Sequence, residues 1–295
     1  MADQPVVAVM SPGQMGHAVG RVLRRHGLRV ITALDVRSAR TVELADVAGI
    51  ENVGSLRRVV DEADIVLSLL PSAAAPVLAE QLAELLAGRD RPLAFVECNA
   101  LAPQTVRAIA ATVAAAGSTV VDVGIVGGPP TDARGPKFCA SGPELDAVLA
   151  LGRFGLDVRP IGPELGQASA MKMCYAALTK GLTALGTELL LAAAEHDLLD
   201  TLLDEFQSSQ PELLHWLQQA VPGMPAKSRR WVSEMQEIAA TLEALGLSGG
   251  YHQSASELYA WVGQTRLGAE RPEARDTGRD LRTTLVALAE SRGAP

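Results

Sequence analysis

The first half of the chain alternates short β-branched runs with amphipathic stretches rich in alanine and leucine, a pattern that predicts a parallel sheet covered by helices. Strands are predicted at residues 5–10, 29–34, 65–70, 93–97 and 119–123. Between the first two, residues 14–26 carry a helical period and Gly27 supplies a C-terminal stop. The alanine-rich segment 108–116 has the spacing of a packed crossover helix, and no internal repeat is present. The pattern changes after Gly162-Pro163. Residues 166–196 run without a proline or a β-rich stretch and predict one long, largely buried helix; shorter helices are expected at 199–206, 211–220, 226–245 and 253–262. The charged tail from Gly263 onward is expected to be partly mobile. Together these predict an α/β chain, with a doubly wound sheet over residues 1–163 and an all-α domain over residues 164–295.

Composition removes several function classes. Hydrophobic residues make up 48 % and charged residues 20 %, which excludes a disordered polyelectrolyte. The net charge of -8 gives no general field for a nucleic-acid backbone or an anionic membrane, so neither is expected as a partner. Cys98, Cys139 and Cys174 are widely spaced and form neither a disulfide framework nor a metal knuckle. The histidines make no HxxxH or HxxE pair, and no metal is predicted. The chain opens without a basic leader, and its first apolar run is far shorter than the roughly 20 residues of a spanning helix. A reducing, cytoplasmic setting is the expectation.

Directly after the first strand comes Ser11-Pro12-Gly13-Gln14-Met15-Gly16, followed by a helix. A residue without a side chain lets the backbone approach a pyrophosphate, and a helix N-terminus directs its N–H groups at the anion. Gly13 and Gly16 supply the second and third glycines of a dinucleotide fingerprint, with Ser11 where the first usually stands. The alternative is a tight structural turn. At the end of the second strand an acid would accept from a free ribose 2'-hydroxyl, whereas arginine would pair with a 2'-phosphate. Asp35 points to NAD(H); Arg37, Ser38 and Arg40 point to NADP(H), which is favoured because an NAD site has no need of a guanidinium beside a hydroxyl. The bland reading of these residues is loop charge capping the next helix.

Lys172 stands among Ala168, Ala170, Met171, Met173, Cys174 and Ala176 in the long helix, so it is not predicted on a solvated face. Burial lowers an ammonium's pKa toward the range useful for proton transfer. Tyr175 and Thr179 share its face at i+3 and i+7. On pattern alone a lysine snorkelling from a packed helix stays open beside a catalytic one.

At this point the sequence resembles the β-hydroxyacid dehydrogenase family, the group containing 3-hydroxyisobutyrate and 6-phosphogluconate dehydrogenases, over most of its length. Pro12 to Gly16, PGQMG, is similar to the family's GxGxMG turn. Leu70 and Pro71 fall where relatives carry a cofactor-facing loop, and Asn99 to Pro103 resembles the segment after the following strand. Asp122 to Gly128, DVGIVGG, resembles the substrate-binding DAPVSGG. Gly166 to Lys172 resembles the segment whose lysine is the family's acid/base. The resemblance implies a Rossmann-type cofactor domain with a helical domain closing the site, Lys172 as general acid/base, and Asp122, Gly124, Val126, Gly127, Gly128, Tyr175 and Ala176 around a small-molecule substrate. Gly124, Gly127 and Gly128 would form its backbone-lined floor.

The departures carry information. The serine of DAPVSGG is matched by Val126, and the asparagine four residues after the lysine by Ala176. A small 3-hydroxy acid in the usual pose would leave polar atoms unpaired, at about 1–3 kcal/mol each, so the substrate or its pose is expected to differ. The segments GPP, KFCASG and RRWVSEM are similar to a less studied branch with a phosphogluconate-dehydrogenase-like C-terminal domain. The relatives' late lysine is not carried over; Arg229, Arg230 and Trp231 either take a similar part or form a surface patch. Hydride transfer to or from a hydroxy-acid-like carbinol carbon is the expected reaction. Imine reduction on the same scaffold, or a non-catalytic cofactor-binding scaffold, are the alternatives. The apolarity of the 166–196 helix predicts a homodimer through the helical domain.

Overall fold

The computed structural model describes residues 4–35 and 37–292. Two compact units emerge, Met1–Met173 and Cys174–Pro295, so the division falls later than position 163, inside the long helix. The first unit runs β1 (Val7–Met10), α1 (Gln14–Arg25), β2 (Val30–Thr32), α2 (Ala39–Ala48), β3 (Glu51–Asn52), α3 (Leu56–Glu62), β4 (Ile65–Ser68), α4 (Ala75–Leu86), β5 (Ala94–Glu97), α5 (Pro103–Ala115), β6 (Thr119–Val126), β7 (Lys137–Ser141), α6 (Asp146–Ala150) and β8 (Asp157–Gly162). The long helix α7 (Gln167–Glu195) follows.

The strands form one sheet in the order β3-β2-β1-β4-β5-β6-β7-β8. β1 to β6 are parallel; β7 runs antiparallel to β6, and β8 parallel to β7. This is the Rossmann-type doubly wound sheet expected from the alternation, joined to a helical C-terminal unit. Helices cover both faces, which is why the strands read as continuous apolar runs. In β1, Val7 and Val9 enter a core with Val19, Leu23 and Val121, while Ala8 and Met10 enter the opposite one with Val66, Phe95 and Leu101. Reversal of strand order between β1 and β4 opens a crevice at the carboxyl ends of the strands.

Three strands were not predicted. β3 has only two exposed residues, and β8 is an edge strand bearing Pro160 among mostly exposed positions, so neither shows an apolar alternation. β7 is a short run that gains its partners from β6 and β8. β6 also extends three residues past the expected end at Val123, through Gly124, which reads locally as a strand breaker.

The second unit contains the rest of α7, then α8 (Leu199–Ser209), α9 (Pro211–Ala220), α10 (Ser228–Glu243), α11 (Gly250–Gln264) and α12 (Leu281–Glu290). The charged tail carries a further helix that the sequence pattern did not predict. Asp280 caps α12, its Oδ1 accepting from the Thr283 amide at 2.8 Å, and Leu281, Leu285 and Leu288 are buried at i, i+4 and i+7. Among the described residues no helix is long and apolar enough to cross a membrane, and no group of three His, Cys, Asp or Glu is placed to hold a metal ion.

Candidate cofactor and proton-transfer site

The turn after β1 has the geometry of an anion cradle. Ser11 lies at φ +55°, in the left-handed region, and its carbonyl accepts from the Gly13 amide at 2.6 Å. A non-glycine residue there costs about 1–2 kcal/mol, so the serine keeps the conformation of the glycine it replaces. Gly13 is the N-cap of α1, without a side-chain cap or an acid in the first turn. A Cβ on Gly13 would meet no described protein atom closer than the Ser11 carbonyl at 3.9 Å. Internal packing therefore does not demand glycine, whereas close approach of a pyrophosphate does. Gly16 is constrained from within: its Cβ would stand 3.2 Å from Val9 Cγ1 and 3.4 Å from the Ser11 oxygen. Pro12 is buried, Gln14 is half-buried, and Met15 packs on the core beneath the turn. These residues fit a dinucleotide.

Beyond β2, Asp35 and Arg37 are both exposed. Ser38 is the N-cap of α2, and its Oγ accepts from the Thr41 amide at 3.3 Å. The hydroxyl thus has a capping role of its own while the guanidinium beside it faces solvent.

Asn99 is buried and staples two strand ends together. Its Oδ1 accepts from the Leu70 amide at 2.5 Å, and its Nδ2 donates to Ser68 Oγ at 2.9 Å. Its amide is occupied in shaping the loop that presents half-buried Leu70 and exposed Pro71. Beneath it lies Glu97, which the sequence reading did not single out. Glu97 Oε1 accepts from the Asn99 backbone at 2.8 Å, while its buried Oε2 has no hydrogen-bond partner among the described residues. Burial pushes this carboxyl up to about 8 against the lowering effect of the Asn99 and Ser68 hydrogen bonds. An acid closing the apolar run AFVE was the available signal. Neighbouring Cys98 is buried too, and burial holds its thiol well above the ordinary range.

Lys172 is positioned by β6 and the first turns of α7. Its Nζ donates to the Ile125 carbonyl at 2.5 Å, which holds the ammonium at the carboxyl end of β6, the same edge that bears the Ser11–Gly16 turn, Leu70 and Asn99. At about 4.8 Å per strand, β6 lies roughly 14 Å from β1 across the sheet. Lys172 is half-buried rather than enclosed. Gly124 permits this approach: a Cβ there would lie 2.5 Å from the Ala168 carbonyl and 3.1 Å from Lys172 Cβ. Its absent side chain therefore seats α7. Val126 is half-buried beside the Ile125 anchor, Gly127 turns the chain at φ +123°, and Gly128 is exposed.

Asp122 faces inward. Its Oδ2 accepts from the amides of Gly166 and Ser169 at 2.9 Å each and from Ser141 Oγ at 3.2 Å, and its Oδ1 from Ser169 Oγ at 2.6 Å. Burial raises its pKa, and these bonds pull it back in part. Farther along α7, Tyr175 is exposed and Ala176 is buried.

Comparison with known proteins follows the same division. Residues 6–150 match the model described as the NAD binding domain of 6-phosphogluconate dehydrogenase, and residues 193–262 match a domain of unknown function, DUF1932. Among solved structures, a conserved protein of unknown function, reported as structurally similar to 3-hydroxyacid dehydrogenases, is 25 % identical with a TM-score of 0.65; the match covers 88 % of this chain and 96 % of that one. A Mycobacterium tuberculosis 3-hydroxyisobutyrate dehydrogenase solved with L-serine is similar in fold, with a TM-score of 0.70 at 16 % identity over 99 % of this chain and 100 % of its own. An imine reductase from Myxococcus stipitatus, in complex with NAD+, gives a TM-score of 0.56 at 18 % identity over 97 % and 99 %.

Proposed function

The chain belongs to the β-hydroxyacid dehydrogenase family, with that family's nicotinamide-dinucleotide-binding fold, and from this premise we propose that it is an NADP(H)-dependent oxidoreductase acting at the carbinol carbon of a small hydroxy-acid-like substrate. The observation that carries the reading is the anchoring of Lys172 Nζ on the Ile125 carbonyl, on the sheet edge that also bears the phosphate turn. When bound, the nicotinamide supplies hydride chemistry. The protein's part is proton transfer and alignment. Lys172 Nζ takes the hydroxyl proton as a carbinol becomes a carbonyl, and returns it to oxygen in the reverse direction. Ile125 fixes where that nitrogen stands, and Asp122 fixes the helix turn that carries it. Gly127 and Gly128 leave room for a substrate beside it. Asn99 shapes the Leu70–Pro71 loop.

The preference for NADP(H) rests on Arg37, exposed directly before α2, where a 2'-phosphate would receive a charge-assisted hydrogen bond. Val126 and Ala176 favour a substrate that lacks, or turns away, the polar group bound by serine and asparagine in relatives. Those same two residues suit imine reduction as a second reading, against which stands the retained Lys172. Two copies associate through the exposed apolar positions of α7, and the setting is cytoplasmic. Turnover of NADPH with a panel of 2- and 3-oxo acids, aldehydes and cyclic imines tests the reading: reduction of C=O substrates upholds it, reduction of imines alone replaces it by the second reading, and binding without any turnover reduces it to a scaffold.

A further inference from the structure

The helical unit gathers cations around one tryptophan. Trp231, in the first turn of α10, meets buried Tyr259 edge-on with ring centres 5.2 Å apart. Lys180 Nζ stands 5.5 Å and Lys227 Nζ 5.9 Å from the centre of the Trp231 ring. Ring electrons offset part of the desolvation of each ammonium. Glu234 is the acid of this group, and it is already engaged: buried, it pairs with Lys180, and its other oxygen lies 3.4 Å from Arg230 Nε.

Lys227 and Arg275 are left over. Among the described residues neither has an acid within ion-pair distance. Burial, and then the charges of Arg275, Arg230 and Lys180, hold the Lys227 ammonium below the usual lysine range. Gly223 brings the two together: a Cβ at this position would lie 3.6 Å from Cζ and Nη2 of Arg275 and 3.7 Å from Lys227 Nζ. A guanidinium and an ammonium thus face the same side-chain-free stretch of backbone. The buried Trp231 indole N–H, close by, has no hydrogen-bond partner among the described residues.

Convergence of like charges in a partly desolvated place is unfavourable unless an anion joins them. We propose that Lys227 and Arg275, over Gly223, form an oxyanion-binding site for the dianionic head of a phosphoryl-type ligand. Among the described residues Lys227 and Arg275 carry two positive charges without an ion-paired acid, which a dianion balances and a monoanion only half compensates. The arginine presents a planar fork to two oxygens while the lysine acts as a point charge. The glycine leaves room for tetrahedral oxygens against the backbone. Free phosphate and a phosphate monoester offer the same head.

The test is isothermal titration of the full chain with inorganic phosphate, with NADP(H) saturating so that the turn after β1 is blocked. Saturable binding that weakens at least tenfold in both Lys227→Met and Arg275→Gln is expected. Both variants should melt no lower than the parent in phosphate-free buffer, because each removes a like-charge repulsion. Absence of saturable binding, or phosphate affinity unchanged in the variants, overturns the proposal. If Lys227→Met fails to fold, Arg275→Gln alone decides, since its side chain lies in a loop outside the helices. Acetate at equal ionic strength should bind far more weakly, and equal binding overturns the dianion assignment. Methyl phosphate separates the sources: binding as tight as phosphate identifies an ester head, exclusion identifies the free anion, and either upholds the site.

Discussion

Asp122 holds Ser169 by both of its atoms able to donate: Oδ1 takes the Ser169 hydroxyl at 2.6 Å and Oδ2 the Ser169 amide at 2.9 Å. This clamps the start of α7 to β6 one turn before Lys172. A buried carboxylate bound by four donors is costly to disturb, because any change leaves desolvated groups unpaired. Ser169→Ala should lower stability by about 1.5–3 kcal/mol, the range for a hydrogen bond to a charged group, and Asp122→Ala by more. Each should also lower kcat with little change in NADPH affinity, because Lys172 rides on the clamped turn while the phosphate turn does not. Thermal melts paired with steady-state rates check this; loss of stability with unchanged kcat would sever the clamp from the chemistry.

Glu97 gives the fold a pH dependence of definite sign. Its folded-state pKa of about 8 exceeds the ordinary carboxylate value because burial penalises the charge. Between those two values the native state keeps a proton that the unfolded chain has lost, so stability falls as pH rises through this window and levels off above the folded pKa. Below the ordinary value both states are protonated and Glu97 contributes no slope. Glu97→Gln keeps the shape and removes the charge. Melting temperatures from about pH 5 to about pH 9 should therefore fall less steeply in the variant. Asp122 and the other acids are common to both proteins and cancel in the comparison. Parallel curves would show that Glu97 is not protonated in the fold.

Cofactor choice is tested at Arg37. An exposed guanidinium aimed at a 2'-phosphate contributes about 1.5–3 kcal/mol, or roughly 10- to 100-fold in affinity. Fluorescence titration should show NADPH bound more tightly than NADH, and Arg37→Ala should weaken NADPH selectively. Ser38→Ala is less informative, since that hydroxyl also caps α2. NADH binding as tight as NADPH in the parent would reassign Asp35 as the selecting residue.

The proposed self-association rests on α7. Tyr175, Leu178 and Leu185 are exposed on this helix, at spacings that keep them close to one face. Sedimentation at micromolar concentration should give a dimer, and Leu178→Glu with Leu185→Glu should give the monomer of 30.9 kDa. A monomeric parent would refute the assignment.

The periodicity of the sequence located β1, β2, β4, β5, α1 and α7 to α11, the strands because a sheet covered on both faces writes itself as apolar runs. What it could not show was pairing at the edges, where β3 and β8 are exposed and held by backbone partners far along the chain. The phosphate turn was legible because its chemistry depends on consecutive residues. Two other positions depend on tertiary approach. Gly124 reads as substrate floor from its motif, yet its missing side chain is what seats α7 against β6. Asp122 reads as a substrate ligand, yet in the fold its oxygens are turned to Gly166, Ser169 and Ser141. Glu97 and the Lys227–Arg275 pair were missed because a lone acid in a strand, or two cations well separated along the chain, carry no spacing signal.

Lys172 Nζ donates to the Ile125 carbonyl at 2.5 Å, a bond that a structural lysine and a catalytic one would both make, so stability and rate must be read side by side. Lys172→Met keeps the length and packing of the stem and removes the proton carrier. It should lower kcat by at least about 10²-fold, the lower end for acid/base catalysis, while NADPH affinity stays near the parent value. Lys172→Arg should not rescue, because a guanidinium keeps its proton at any working pH and cannot act as the base. Since the lysine is half-buried, loss of the Ile125 bond should cost only about 0.5–1.5 kcal/mol of stability. A melting point close to the parent together with a collapsed kcat identifies proton transfer at Nζ. Retention of most activity in Lys172→Met would move that role away from α7 and return weight to imine reduction, whereas unfolding of both variants would leave Lys172 as the pin that holds α7 to the carboxyl end of β6.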